Sequence, residues 1–494
     1  MFRDTKGGVA SVTPPFLILV ILFFMKNNIH FVSIGNLSRE LKNKTISPVE
    51  LVEHMLSRIE SVDQRLNSYA TICADRAIKE ARQAEREILA GEYRGRLHGV
   101  PLSVKDLCYT RGIRTMGGLK VRKNFIPSFD STVVKKLGLA GAVLLGKSGS
   151  TEGALSGYNP EFKIPKNPWG DELWAGVSSS GSGVAVSAGL CFGSIGTDTG
   201  GSIRYPSMAN GVVGLKPTYG AVSRYGVMEL AQTLDHVGPL ARSVEDVAIL
   251  FDAISGRDAL DPTSLRQDLA PIKDSLSLDV EGMTLGVDLN YIESGTDRGL
   301  LSAIDQVIET FKALGVGIVE VKMPRSDPQD LRDLWLPITA FEAAKAHKET
   351  FPSRADDYGD YLREVLEHGL AMEERDYLDA QTKRKEYATH FEAQLQKVDA
   401  VICPAGGFVF EVDAKTQYGD KETMASVIKN FQGQFTIPSD LIGSPAIVVP
   451  CGFSDDKRPY TFQLLGSKVS EGTLCALGYK YEQQYEWNLR HPEF

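Results

Sequence analysis

Two serines and one lysine are the residues of this chain best placed for covalent chemistry. Ser178 and Ser202 each sit in a glycine-rich turn of the stretch Gly176 to Ser207, GVSSSGSGVAVSAGLCFGSIGTDTGGSIRYPS. A serine becomes a nucleophile only when a base removes its proton and donors receive the oxyanion that forms. In GTDTGGSIR, Thr199, Gly200, Gly201 and Ser202 can turn successive N–H groups toward one point, a natural oxyanion hole. The usual histidine base is missing: no GxSxG elbow occurs apart from the Gly/Ser run itself, and His236, in TLDHVGP, reads as a capping or packing residue. Lysine remains. Lys105 ends the run VPLSVK, and burial without a carboxylate partner lowers a lysine's pKa toward neutrality. Asp106 adjoins it, but neighbours on a strand point to opposite faces. An edge lysine that snorkels to solvent matches this spacing equally well.

These residues need elements to hold them. The Gly/Ser stretch has the composition of a flexible linker. A linker, however, would not enclose the small apolar helix expected over Val184–Leu190, nor run into Gly211–Pro217, GVVGLKP, which reads as a buried strand. Val100–Leu107 alternates like a strand. Upstream, Ser47-Pro48-Val49-Glu50 is a capping box with proline at the first helical position. A second helix is expected over Asp75–Ala90, ending at Gly91. GAVLLGKS, Gly141 to Ser148, matches the phosphate-loop pattern GxxxxGK[ST]. Its middle residues, Ala-Val-Leu-Leu, read as a buried strand rather than an open turn, so a nucleotide site is not expected there. Downstream, Ser243-Val-Glu-Asp opens a helix to Ile254. Thr284–Leu289 and Val316–Val321 flank the helix Leu300–Leu314 as a βαβ unit, and 331–396 is long, charged and helical. Val398–Pro404, Ala446–Val449 and Tyr460–Leu465 are late strands, and Gly472–Gln483 is a last helix. Strands alternating with helices over the whole chain predict one large α/β domain, with a central mixed β-sheet covered by helices on both faces.

The stretch resembles the amidase signature family at Gly176, Ser178, Ser179, Ser180, Gly181, Gly196, Asp198, Gly200, Ser202, Ile203, Arg204 and Pro206. Further blocks, from Leu102–Asp106 to Thr436–Phe453, extend the resemblance from about Ile34 to the end of the chain. It implies a serine amidohydrolase with a Ser–cis-Ser–Lys triad: Ser202 as nucleophile, Ser178 as proton relay after a cis peptide bond, and Lys105, entering neutral, as general base. It also implies an oxyanion site from Thr199, Gly200, Gly201 and Ser202, with Ser179 assisting. Asp198 and Arg204 become a buried pair bracing the nucleophile loop, and Ser180 and Ser182 are kept for small size. Within the family, Gly211–Val227 is similar to the A subunit of glutamyl-tRNA(Gln) amidotransferase, a glutaminase that works with partner subunits. Gly433-Gln434 before Phe435, Cys403–Gly407, and Trp169 and Trp174 in NPWGDELWAGVSSS depart from that pattern and read as a stand-alone amidase. The expected partner is therefore a small-molecule amide, with nucleic acid involved only in the transamidase reading; a homo-oligomer is allowed. Substrate-shaping loops are expected at Tyr109–Phe129, Tyr158–Trp174 and Leu331–Tyr361. Their aromatics Tyr158, Phe162, Trp169, Trp174, Trp335 and Phe341 fit an apolar or aryl substrate, or simple core packing.

Composition agrees with an enzyme of this kind. The 494 residues are 24% charged and 43% hydrophobic, as in ordinary globular proteins. A formal charge of −9 argues against a broad basic face for nucleic acid. The six cysteines show no CxxC and lie mostly in apolar runs, as buried free thiols in a reducing compartment would. The eight histidines form no HExxH or other metal-ligand pairing, so neither metal nor cofactor is expected. Phe16–Met25, FLILVILFFM, is too short to span a bilayer comfortably. It reads as a weak membrane anchor, a signal-peptide core for export, or an upstream extension with translation beginning at Met25. The last is preferred, giving an N-terminal extension over 1–33, a catalytic domain over 34–494 and a cytoplasmic protein.

Overall fold

The computed structural model describes residues 28–267, 269–324, 327–419 and 433–494. The apolar run Phe16–Met25 lies outside them. No described helix is long and apolar enough to cross a membrane.

A mixed sheet of 11 strands, counted among the described residues, forms the centre of a single α/β domain and is flanked by helices. Its order is β1 (Tyr69–Ile72), β3 (Val143–Ser148), β2 (Pro101–Lys105), β4 (Gly193–Asp198), β6 (His236–Ala241), β5 (Val213–Lys216), β10 (Ala446–Phe453), β11 (Pro459–Leu465), β9 (Ala400–Pro404), β7 (Thr284–Val287) and β8 (Gly317–Glu320). β2 is parallel to β3 and β4, and β7 is parallel to β8 and β9; the other pairings are antiparallel. The βαβ unit expected around residue 300 is present, because β7 and β8 pair in parallel with the helix Arg298–Ala313 between them.

The helices start and stop where their caps dictate. Ser47 Oγ accepts from the N–H groups of Val49 and Glu50 at 3.1 and 3.2 Å, opening α1 (Pro48–Leu66). α2 (Ala74–Ala90) ends on Gly91, whose φ of 87° closes the last turn without a Cβ clash. Between β3 and β4 lies α3 (Ser180–Ser187), wholly buried, and after β4 comes α4 (Arg204–Asn210), also wholly buried. Ser243 caps α5 (Val244–Ile254). The charged tract after residue 327 forms three helices: α6 (Pro328–Ala346), α7 (Asp360–Ala371) and α8 (Glu374–Leu395). α9 (Ile437–Ile442) precedes β10.

Two strands at the centre escape the sequence pattern. β4, Gly-Ser-Ile-Gly-Thr-Asp, has little β propensity, yet all of its residues are buried. Its small side chains are required by crowding: a Cβ on Gly196 would lie 2.8 Å from Leu240 Cδ1 and 2.9 Å from Ser179 Oγ. β6 carries His236, which therefore belongs to the sheet. The helix expected over Val184–Leu190 instead starts at Ser180 and ends at Ser187. The phosphate-loop match is strand β3, paired with β1 and β2, and its Lys147 is wholly buried. Lys147 Nζ donates to the Cys108 carbonyl at 2.6 Å and to Thr115 Oγ1 at 2.8 Å, so it has no free amide cradle to serve. All six cysteines are buried and free.

Candidate active site

The parallel strands β2 and β4 pair with Val104 opposite Ile195, which carries Lys105 up to Thr197 at their carboxyl ends. In open α/β sheets such ends are where crevices form. Lys105 is wholly buried. Its Nζ lies 2.5 Å from Ser178 Oγ and 2.7 Å from Thr197 Oγ1. Burial pushes the Lys105 ammonium down to about 7, more than Cys108, Asp198 and Asp235 raise it. The snorkelling alternative is thus removed by the fold. Asp106 turns the other way: its carboxylate accepts from Met116 and Gly117 N–H at 2.9 and 3.2 Å and lies 3.6 Å from Lys147 Nζ.

Ser178 follows a cis peptide bond from Val177 and directly precedes the turn into α3. Crowding explains the glycines around it. A Cβ on Gly181 would stand 2.4 Å from the Ser68 carbonyl oxygen, and one on Gly176, where φ is +85°, would stand 2.5 Å from Pro206 Cα. The Ser179 N–H donates to the Ser202 carbonyl at 3.3 Å and ties the two serine loops together. Ser202 is buried with 7% of its surface exposed. Among the described residues, no hydrogen bond joins the Ser202 hydroxyl to that of Ser178; the link between the loops is through backbone. Ser179 Oγ is committed to Thr197, donating to its carbonyl at 3.1 Å and accepting from its N–H at 3.2 Å. It fixes the strand end that Lys105 touches. Ser180 and Ser182 are more than small: Ser180 Oγ lies 2.6 Å from Tyr158 OH, and Ser182 Oγ 2.7 Å from Ser148 Oγ.

The loop from Thr199 to Ser202 is held from several sides. Thr199 Oγ1 donates to Asp235 at 2.7 Å, Trp335 Nε1 donates to the Thr199 carbonyl at 2.8 Å, and Thr436 Oγ1 donates to the Gly200 carbonyl at 2.7 Å. Burial lifts the Asp235 carboxyl to about 6, against hydrogen bonds from Thr199, Ala231 and Leu230. The Gly201 N–H is engaged, donating to Asp198 Oδ1 at 2.6 Å. That amide therefore braces the loop and is not free to meet an oxyanion, unlike the expectation for a run of open amides. Asp198 also accepts from Ile203 N–H at 2.9 Å and from Arg204 Nε at 3.0 Å.

Arg204, wholly buried, spreads its guanidinium further, to Asp440 at 2.6 Å, Ser439 at 2.6 Å, the Thr436 carbonyl at 2.9 Å and Gln463 at 3.2 Å. Burial alone would raise the Asp198 carboxyl, but the charge and hydrogen bonds of Arg204 outweigh it and hold the group well below the usual range. Asp440 goes the other way: burial and the neighbouring Asp198 raise it, more than Arg204 and Lys216 lower it. His236 Nδ1 donates to the Leu234 carbonyl at 2.6 Å, and burial pushes the ring's pKa well below its ordinary value. It packs beside Asp440, with Nδ1 3.3 Å from the carboxylate.

Thr197, Asp235 and Thr436 were not legible as site residues in the sequence, and Trp335 was expected only as a wall near substrate, not as a brace of the Thr199 loop. A threonine directly after Gly196 of a glycine-rich strand was the local signal for Thr197; Asp235, Trp335 and Thr436 reach the loop by tertiary contact.

A cavity of about 90 Å³ opens beside Gly176 and Val177. Tyr158, Trp174, Tyr205, Tyr361, Phe408 and Phe410 are its aromatic walls. Of the aromatics expected near substrate, Tyr158 and Trp174 are here, and Trp335 holds the Thr199 loop. Trp169 instead donates to the Asn210 carbonyl and packs on Phe453, Phe341 stacks on Tyr377, and Phe162 lines a separate surface groove. The segment Tyr109–Phe129 supplies none of the cavity's lining.

Comparison with known proteins agrees with this architecture. The Amidase family model matches residues 50–475. The chain is 38% identical over 455 residues to "Putative amidase AmiD" of Mycobacterium tuberculosis, covering 92% of this chain and 94% of that protein. It is 36% identical to the A subunit of the glutamyl-tRNA(Gln) amidotransferase of Thermosynechococcus vestitus, over 93% of this chain and 99% of that protein. The crystal structure of native peptide amidase from Stenotrophomonas maltophilia superposes with a TM-score of 0.82 at 28% identity, covering 94% of this chain and 98% of that one. The match spans every strand and loop that carries Lys105, Ser178 and Ser202, and the chain belongs to the amidase signature family.

Proposed function

We propose that this chain hydrolyses a small carboxylic amide through an acyl-enzyme on Ser202. Lys105 enters neutral. With an N–H on Thr197 Oγ1, its lone pair is free to face Ser178 Oγ, 2.5 Å away, and this contact carries the proposal. As Ser202 attacks the carbonyl carbon, its proton passes to Ser178 while the Ser178 proton passes to Lys105. The N–H groups of Thr199, Gly200 and Ser202 receive the oxyanion, and Gly201 holds the loop through Asp198. The tetrahedral intermediate collapses when the proton returns through Ser178 to the departing nitrogen, releasing ammonia or an amine. Water, deprotonated by the same relay, then cleaves the Ser202 ester and frees the acid.

Replacing Lys105, Ser178 or Ser202 by alanine is expected to lower amidase turnover by roughly 10³-fold or more, as removal of one member of a catalytic unit does. Intact-mass measurement with a slow substrate should show an acyl adduct in the wild-type chain and none in Ser202→Ala. Near-normal turnover by Ser202→Ala would overturn the mechanism.

A second reading, the glutaminase component of a tRNA-dependent amidotransferase, is supported by the 36% identity to the cyanobacterial amidotransferase chain. It requires glutamine hydrolysis that depends on partner subunits. The uncharged cavity beside Val177 favours the stand-alone amidase.

A further inference from the structure

We propose that the cavity beside Val177 is the specificity pocket of this enzyme, and that it takes one uncharged aromatic ring attached to the scissile amide. This rests on the amidase reading and names its substrate class. The cavity touches the proposed catalytic centre on two sides. Gly176 and Val177 lead directly into Ser178, and the N–H of Thr151, another lining residue, donates to the Ser178 carbonyl at 3.3 Å. On the other side Tyr205 stands against the oxyanion loop: a Cβ on Gly201 would lie 2.3 Å from its ring, and its hydroxyl is hydrogen-bonded with Thr436 Oγ1 at 2.8 Å.

The walls are largely aromatic and, among the described residues, uncharged. All three tyrosine hydroxyls are bonded within the protein: Tyr158 to Ser180 at 2.6 Å, Tyr205 to Thr436 at 2.8 Å and Tyr361 to the Thr416 carbonyl at 3.0 Å. Trp174 and Phe410 stack with centroids 4.9 Å apart at 18°, leaving a flat apolar wall. Met208, Val177 and Val412 complete the apolar lining. Among the described residues, no lining side chain carries a charge; Ser156, Thr416 and Gln417 bring polar side chains to the lining. Such a surface offers dispersion contacts to a ring and no counter-ion to an ammonium or carboxylate. Size sets the limit. A closed apolar cavity of about 150 Å³ holds benzene; this one, of about 90 Å³ and open to solvent, is of a size to seat part of one ring, with the rest at its mouth. Free glutamine, with two charges beside its amide chain, is a poor fit.

The test compares propionamide, benzamide, acetanilide and glutamine on the purified chain. Benzamide carries the ring on the acyl side and acetanilide on the amine side, so their order reveals which half of the substrate the pocket holds. One of the two should exceed propionamide in kcat/KM by about tenfold or more, the discrimination an apolar pocket supplies, and glutamine should fall below propionamide. Val412→Trp, which adds bulk to the lining, and Phe410→Ala, which removes one of the stacked rings, should each cut the ring-to-propionamide selectivity ratio by about tenfold. Calorimetric titration with phenylacetone, an uncharged aryl ketone without a scissile bond, reads the pocket independently of turnover. It should saturate, and weaken in Val412→Trp. Propionamide hydrolysis with no preference for either ring-bearing amide overturns this inference and leaves the amidase mechanism standing. Loss of all amide hydrolysis overturns the mechanism, and phenylacetone binding then decides the pocket: absence of binding overturns it.

Discussion

Three lysines among the described residues, Lys105, Lys147 and Lys216, are wholly buried, and their partners separate them. Lys147 rests on a carbonyl, a threonine hydroxyl and the Asp106 carboxylate, and Lys216 donates to the carbonyls of Pro217 and Ser444 at 3.1 and 2.5 Å. These acceptors suit an ammonium. Among the described residues, the hydrogen-bond partners of Lys105 are the hydroxyls of Ser178 and Thr197, which can accept from a neutral amine or donate to it. Burial lowers it to about 7, and the sign of the consequence follows. Below about pH 7 the ammonium has no lone pair, so kcat/KM should fall about tenfold per pH unit; above it the rate should level off. A flat profile between about pH 5 and 7 would remove Lys105 as the base. Stability changes in a different window, above the folded value, for a related reason. The folded value lies below the ordinary 10.5, so the unfolded chain binds the extra proton between about 7 and 10.5. The cost of burying the charge is therefore full below about pH 7 and fades as pH rises toward 10.5. Lys105→Met should be inactive, and its stability advantage over wild type in urea should be largest near about pH 6 and shrink by about pH 9.

At the scale of elements, the turn from β4 into α4 is the piece on which the site depends. Arg204 ties that turn to α9 and to β11 through Asp198, Asp440, Ser439 and Gln463. Removing one partner of such a buried network leaves uncompensated charge, which costs about 3–5 kcal/mol. Arg204→Ala should lose that much in chemical denaturation at neutral pH, with Asp198 no longer held against the N–H groups of Gly201 and Ile203. A loss below about 1 kcal/mol, the typical effect of an ordinary substitution, would show that the network is not needed to brace the loop. Local pattern misleads most here. The glycines and serines of β4 and α3 have the composition of a flexible linker, yet every residue of both elements is buried. Conversely, GAVLLGKS spells a phosphate loop in letters, while its apolar middle makes it strand β3.

At the scale of the whole molecule, the sheet brings together residues from distant parts of the chain. Thr436, Trp335 and Asp235 all grip the loop that Ser202 ends. The start of the described chain is also built into the body: Phe31 stacks on His491 at 3.7 Å, and Arg58 lies over both Phe31 and Phe494. The pocket and the triad proposed here are complete within one chain. The purified chain alone should therefore hydrolyse propionamide at a rate proportional to its concentration, as measured by ammonia release. Activity that appears only on adding amidotransferase partner subunits would favour the glutaminase reading instead.

The sequence by itself determined the family and marked the candidate residues, because a nucleophile loop needs particular small residues at particular places. Ser178, Ser202 and the glycines between them are constrained by backbone contact, and that constraint survives as a readable motif. It also determined most helices, whose caps at Ser47, Gly91 and Ser243 are local hydrogen-bonding signals. Only the tertiary structure decided between the two readings of Lys105, since burial is a property of the neighbours on β3 and β4 and not of the strand itself. It likewise decided that Gly201 spends its N–H on Asp198, and that Phe408 and Phe410 join Trp174 around one cavity. Those contacts link residues whose meeting depends on the folded chain, and no local pattern encodes them.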